Sequence, residues 1–182
     1  ASAALSDRTG GDIVLKAENI QRTGSFKIRG AMNKLASLGE LAKTGVTAGS
    51  AGNHAQALAF AARTFGVPCE IFVPAGASIA KVAACRGYGA TVVEGGDSLD
   101  DAVASARARA GEANMAFCHP FDDLSVITGQ ATLGLELLED IESRNTREHE
   151  IEDDQRGALT AGEIERFLSG GSRRHAVPDF RE

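Results

Sequence analysis

Short β-branched runs alternate with alanine-rich stretches of helical period through the first three quarters of the chain, and this alternation limits the fold more than any other feature. Strands separated by helix-length segments cannot close as hairpins; they pair in parallel, each joined to the next by a crossover helix. The strand candidates are residues 13–17, 45–48, 69–73, 90–94 and 115–118. Between them, Ala55, Leu58, Ala59, Ala62 and Phe65 share one helical face, and Leu99, Ala102, Val103, Ala106 and Ala110 share another, opened by Asp97 or Ser98 as N-cap. Gly66, Gly87 and Gly111 stand where helices should end, and a further helix is predicted over 123–141, with Val126, Ile127, Leu133, Leu137 and Leu138 apolar. The predicted class is α/β: a doubly wound parallel sheet with helices on both faces.

With 182 residues the chain is long enough for one domain and an extension. It has no Trp and one Tyr, so its core must be built mainly from Ala, Val, Leu and Ile. Charge divides it: 27 of the first 141 residues are ionic against 17 of the last 41. The expected organisation is a partial segment at 1–27, an α/β domain at 28–141 and a charged tail at 142–182. In the tail, a capping box from Thr160 to Glu163 opens one short helix that ends after Leu168 at Gly170 and Gly171, and the run from Glu148 to Arg156 reads as solvated. The net charge of -6 excludes nucleic acid as a main partner, because phosphate binding needs a basic face. Cys69, Cys85 and Cys118 are odd in number and far apart, which fits free thiols in a reducing cytoplasm. No apolar run approaches the roughly 18 residues of a membrane span, and Asp7 and Arg8 come too early for a signal peptide. A soluble protein acting on a small molecule is the expectation.

In open parallel sheets ligands bind where strand ends lead into helix N-termini. The stretch Ser50-Ala51-Gly52-Asn53-His54 lies at such a place, and its small residues let backbone N–H groups approach a carboxylate or phosphate. Composition alone favours a plainer role, helix capping by Ser50 or Asn53. Lys27, between Phe26 and Ile28, has apolar neighbours able to desolvate its amine and make it nucleophilic toward an aldehyde, although most lysines are simply solvated charges. Asp122 and Asp123, ahead of a helix, read as caps in preference to an acid–base pair. No Gly-x-Gly-x-x-Gly follows a strand, which argues against a dinucleotide site.

Taken together, Ser25-Phe-Lys-Ile-Arg-Gly-Ala31, Ser50-Ala-Gly-Asn-His-Ala-Gln56, Glu70-Ile-Phe-Val-Pro74 and His119-Pro-Phe-Asp-Asp123 with Gly129-Gln130 resemble the biosynthetic threonine dehydratases and related serine racemases. The resemblance runs from about Leu5 to Glu139. It implies the tryptophan-synthase-β-like fold with its second domain incomplete, and pyridoxal 5'-phosphate as cofactor. It further implies that Lys27 carries the cofactor as a Schiff base and transfers the substrate proton, and that Asn53 bonds the ring hydroxyl oxygen. Ser50, Ala51, Gly52 and His54 would frame a pocket for the carboxylate of a small amino-acid substrate. Racemases of the family often carry a serine where this chain has Ala51, so the resemblance favours dehydration of threonine or serine to a 2-oxo acid and ammonia, with isoleucine biosynthesis as the setting and a homo-oligomer as a possible state. No role for Arg29, His119 or Gln130 follows from it.

Members of the family are usually longer, with a glycine run that cradles the cofactor phosphate and a Ser or Thr on the pyridine nitrogen. Ser169-Gly-Gly-Ser172 is the comparable patch here and reads better as a helix end. Two classes of function therefore stand side by side: a dehydratase that keeps its cofactor chemistry, and a catalytically incomplete piece or interaction module that turns over weakly or not at all.

Overall fold

The structure is a computed structural model that describes residues 2–148, with side chains described as far as Ile141. Its chain divides into two compact units, Ala1–Leu135 and Glu136–Glu182. Within the first, α1 (Ala3–Thr9) and a coil segment lead to α2 (Lys27–Leu38); the α/β part then runs β1 (Val46–Gly49), α3 (Asn53–Phe65), β2 (Cys69–Val73), α4 (Ile79–Gly87), β3 (Thr91–Glu94), α5 (Leu99–Ala113) and β4 (Ala116–Phe117), and α6 (Leu124–Glu148) follows.

All four strands are parallel, in the order β3-β2-β1-β4. The chain steps outward from β1 to β3 and then crosses back to add β4 on the other side of β1. Right-handed crossovers in opposite directions put α3 and α4 on one face and α5 on the other. The doubly wound expectation therefore holds, with helices on both faces. β1 is central and its four residues are all buried. Leu58, Ile71, Val46 and Leu35 are among the largest side chains in a core that is otherwise mostly alanine, with Val73, Val82 and the three cysteines, and the small side chains let helices lie close to the sheet. At Gly49 the approach is closest: a Cβ there would sit 2.4 Å from the backbone N and Cα of Val103 on α5.

Four of the five predicted strands are present, β2 with the expected bounds and the other three shifted or trimmed by one residue at one or both ends. Residues 13–17 form no strand. Val14 and Leu15 are exposed there, so the apolar run that suggested a strand is not buried against any neighbour among the described residues. Ser98 is the N-cap of α5, in a full capping box with Asp101. Gly66 caps α3 in the left-handed conformation, as expected. Gly87 is instead the last residue of α4, and Gly111 lies inside α5, which Asn114 ends in the left-handed conformation. Phe65 and Leu99 belong to the predicted stripes by spacing but lie exposed at helix ends. The 27/28 boundary expected from sequence falls in the first turn of α2, and the 141/142 boundary falls inside α6. The expected tail helix and the Ser169–Ser172 patch lie outside the described residues.

Candidate active site

The direction of winding reverses between β1 and β4, which opens a crevice at their carboxyl ends. Two loops meet there, residues 50–54 after β1 and residues 118–123 after β4.

The first loop is locked into the sheet. Ser50 is buried, its N–H donates to the Phe72 carbonyl of the neighbouring strand at 2.9 Å, and its hydroxyl oxygen accepts from the Gly52 N–H at 3.3 Å. Gly52 is the N-cap of α3, and no side chain caps that helix, so the capping role allowed by composition for Ser50 and Asn53 is not what these residues do. The first N–H groups of α3 are thereby left for something else. Asn53 is exposed, with no side-chain partner among the described residues. Ser50 and Ala51 line a shallow surface recess with Ala55 and Lys81. Lys81, which no sequence motif announced, brings its ammonium nitrogen to 4.0 Å from where a Cβ on Gly52 would stand.

His54 is 3% exposed and joins the two loops. Its Nε2–H donates to the Cys118 carbonyl at 3.1 Å, which fixes the ring proton on Nε2 and leaves Nδ1 buried without a partner. Burial drives its pKa down to about 4, the Cys118 carbonyl opposes this, and the positive charge of Lys27 pushes further down. The ring is neutral at pH 7.

Lys27 opens α2, and its Nζ donates to the Pro120 carbonyl at 2.7 Å. Partial burial lowers its pKa from the usual lysine value, in the direction that makes a free amine easier to reach. Phe26 lies beside it, ring centroid 5.4 Å from Nζ. The helix behind Lys27 is pinned by polar ties. Arg29 forms a two-pronged ion pair with Glu18, at 2.9 and 2.8 Å, and donates to Thr132 of α6 at 3.0 Å. Gly30 N–H donates to Gln130 Oε1 at 3.1 Å, and Cβ atoms at Gly30 or Gly129 would collide with the other helix, so α2 and α6 cross on glycines. Asp123 caps α6 through its Oδ1 and pairs with Lys34 at 2.6 Å, as the capping expectation for it held. Glu18 and the carbonyls of Cys118 and Pro120 carry much of this geometry, and sequence offered no sign of them.

Lys27 and the 50–54 loop thus converge through two carbonyls, Cys118 and Pro120, of one turn. The amine of a desolvated lysine, an exposed carboxamide at Asn53 and uncapped helix N–H groups fit the aldehyde, ring and carboxylate chemistry of an amino acid bound to pyridoxal phosphate. Among the described residues no run of more than two glycines follows a strand, and after the pair Gly95-Gly96 that follows β3 the N–H groups of Asp97 and Ser98 are already taken by the Asp101 carboxylate.

This chain belongs to the family of pyridoxal-phosphate dependent enzymes, which it matches over residues 1–149. It is 50% identical over 141 residues to L-threonine ammonia-lyase of Thermotoga maritima, covering 77% of this chain and 35% of the relative. It is 47% identical over 138 residues to the catabolic L-threonine dehydratase of Escherichia coli, covering 75% and 42%. Among solved structures, the processed form of threonine deaminase isoform 2 from Solanum lycopersicum superimposes with a TM-score of 0.72 at 37% identity, over 76% of this chain and 40% of that one. Maize serine racemase gives 0.74 at 34% identity, over 78% and 44%. The chain spans less than half the length of these relatives.

Proposed function

We propose that this chain carries the lysine-bearing and carboxylate-binding parts of a pyridoxal-phosphate-dependent ammonia-lyase acting on threonine or serine. The observation that carries the reading is the meeting of Lys27 and the 50–54 loop on one turn at the switch point of the sheet. When bound, pyridoxal phosphate supplies an electron-withdrawing ring that stabilises negative charge at the α-carbon of an amino acid. The protein groups do the rest. Lys27 holds the cofactor and moves the α-proton at its Nζ; partial burial lowers the pKa of that nitrogen from the usual lysine value, the direction that favours the free amine. Backbone N–H groups of residues 51–54, at the positive end of α3, orient the carboxylate, and Asn53 reaches the ring hydroxyl. His54, neutral and fixed, adds no charge but holds the loop against β4. Ala51 presents a methyl group where a second proton donor would be needed to return the proton on the opposite face, which favours elimination of the β-hydroxyl over racemisation. Water leaves with the β-hydroxyl and is taken up again when the resulting enamine is hydrolysed, so the net change is loss of ammonia, leaving a 2-oxo acid.

A cytoplasmic location and an oligomeric state belong to the same proposal; three buried thiols free of disulfides fit a reducing compartment. No helix among the described residues is long and apolar enough to cross a membrane. The isoleucine-forming setting is also part of it, against the breakdown role in the Escherichia coli relative's name.

Borohydride trapping of pyridoxal phosphate followed by peptide mapping tests the site. Label is expected on Lys27, and label elsewhere with Lys27 untouched overturns the assignment. Turnover is a separate measurement: the phosphate lacks a cradle among the described residues, and three missing charge-assisted hydrogen bonds of roughly 1.5–3 kcal/mol each weaken binding by several powers of ten. The 182-residue polypeptide assayed alone for 2-oxobutanoate is therefore expected to fall below the roughly 1–1,000 per second of a competent enzyme.

A further inference from the structure

The turn after β4 is organised around His119, a residue of the shared motif to which the reading above gives no task. Its Nδ1 accepts the Asp122 N–H at 2.7 Å and lies 3.4 Å from the Phe121 N–H. A ring nitrogen that accepts carries no proton, so the ring proton is on Nε2. The imidazole stands edge-on to Phe121, centroids 4.6 Å apart, and to Phe117 at 6.1 Å. These contacts fold the chain back on itself over four residues. The peptide caught inside the fold is that of Pro120, whose carbonyl meets the Lys27 ammonium at 2.7 Å. Proline contributes no N–H and a fixed φ, so the direction of this carbonyl depends on how the residues after it are held. His119 is what holds them.

We propose that His119 is a positioning residue: by accepting the Asp122 N–H it fixes the 119–122 turn and so aims the Pro120 carbonyl at Lys27 Nζ. This rests on the reading of Lys27 as the reactive amine. An aimed carbonyl places the nitrogen in one position and gives its charged form a dipole to rest against, while the apolar surroundings favour the neutral form. Without the aim, the amine keeps the desolvation and loses the acceptor.

Two substitutions separate the acceptor from the aromatic ring. H119N retains a short side chain with an oxygen able to accept the Asp122 N–H, and H119F retains edge-on ring contacts but no acceptor. The readout is the ionisation of Lys27 in the full chain, followed by NMR of ¹³C-methylated lysines across pH and assigned with K27R. H119F is expected to lower the Lys27 midpoint by at least about half a pH unit, threefold in the ionisation constant, and H119N to stay near the parent value. An unchanged or raised midpoint in H119F overturns the proposal, as does an H119N midpoint displaced as far as that of H119F, since the ring and not the acceptor would then be at work. Unchanged amide spectra away from the turn show that both variants fold. Borohydride mapping on the parent chain decides the Lys27 assignment independently, so a failure of that assignment and a failure of the positioning role are seen in different experiments.

Discussion

The 50–54 loop and the Lys27 segment face the same crevice, but the first is an extension of the buried central strand while the second hangs on polar ties beside exposed apolar side chains. On the loop side, Val46, Thr47, Ala48, Gly49 and Ser50 are all buried, and α5 lies against the strand with no room for a methyl group. On the lysine side, Ile20 is 80% exposed, Leu124 79% and Phe121 67%, and position is kept by the Glu18–Arg29 pair, the Gly30–Gln130 bond and the Pro120 carbonyl. Close packing is unforgiving of volume and insensitive to salt. Polar ties are individually modest and can be exchanged. The roles proposed for the two sides, a loop that holds a carboxylate without moving and a lysine that releases and regains a partner, suit these two constructions.

The contrast breaks most sharply at Gly49. A Gly49→Ala methyl would meet the α5 backbone at 2.4 Å, where no rotamer change relieves it, so either α5 or β1 must shift. The expected loss is at the upper end of overpacking costs, about 3 kcal/mol or more, in chemical denaturation. A loss under about 1 kcal/mol would mean that the loop side is no more rigid than the lysine side.

Acid separates the two sides next. His54 in the folded chain protonates at about 4, against an ordinary value near 6.5 once unfolded. Between those values the unfolded chain binds a proton that the folded chain does not, so stability falls as pH is lowered from 6.5 to 4, by up to about 3 kcal/mol. Asp123 acts in a different window. Although burial works against its ionised form, the Lys34 ammonium and the Val126 and Ser125 N–H groups bring its pKa below the usual aspartate value. Its contribution is whole above about pH 3.9 and disappears only as pH falls through the lower, folded value. Denaturation midpoints followed from about pH 7 to 4 in the parent and in H54Q test this: the slope should flatten in the variant, and an equal slope assigns the acid loss to other groups.

How much of this was legible in advance follows the same division. The loop side could be read, because β-branched runs, alanine stripes and a small-residue stretch before a helix are local signals, and they placed β1 to β4 within a residue and marked one face of α3 and of α5. The lysine side could be named only by motif. Residues 13–17 look like a strand and are exposed coil, since periodicity says that a segment has an apolar side without saying that anything lies against it. Gly111 looked like a helix end and is a helix interior, because α5 continues for two more residues and finds its left-handed turn at Asn114. The ties that set Lys27 join residues 93 and 103 positions apart through carbonyl groups and a threonine hydroxyl. A backbone carbonyl is present at every residue, so no composition or spacing marks the one at Pro120 as an acceptor.

The smallest effect concerns the tie farthest from the chemistry. Glu18 and Arg29 are both 14% exposed at their side chains, and the carboxylate receives two guanidinium N–H groups. Glu18→Gln keeps the shape and one accepting oxygen but loses the charge and the two-pronged match. Arg29 meanwhile retains its bond to Thr132 on α6, so its charge is not stranded. The net cost should be about 1 kcal/mol, well below that of an unpaired buried ion. If the lysine side is held by interchangeable ties, that loss should reduce overall stability slightly while amide exchange quickens in the first turns of α2 and remains slow in β1 and α3. Quickening spread evenly over both regions would show that the lysine segment and the sheet open together, and the distinction between a fixed loop and a released lysine would have no structural basis.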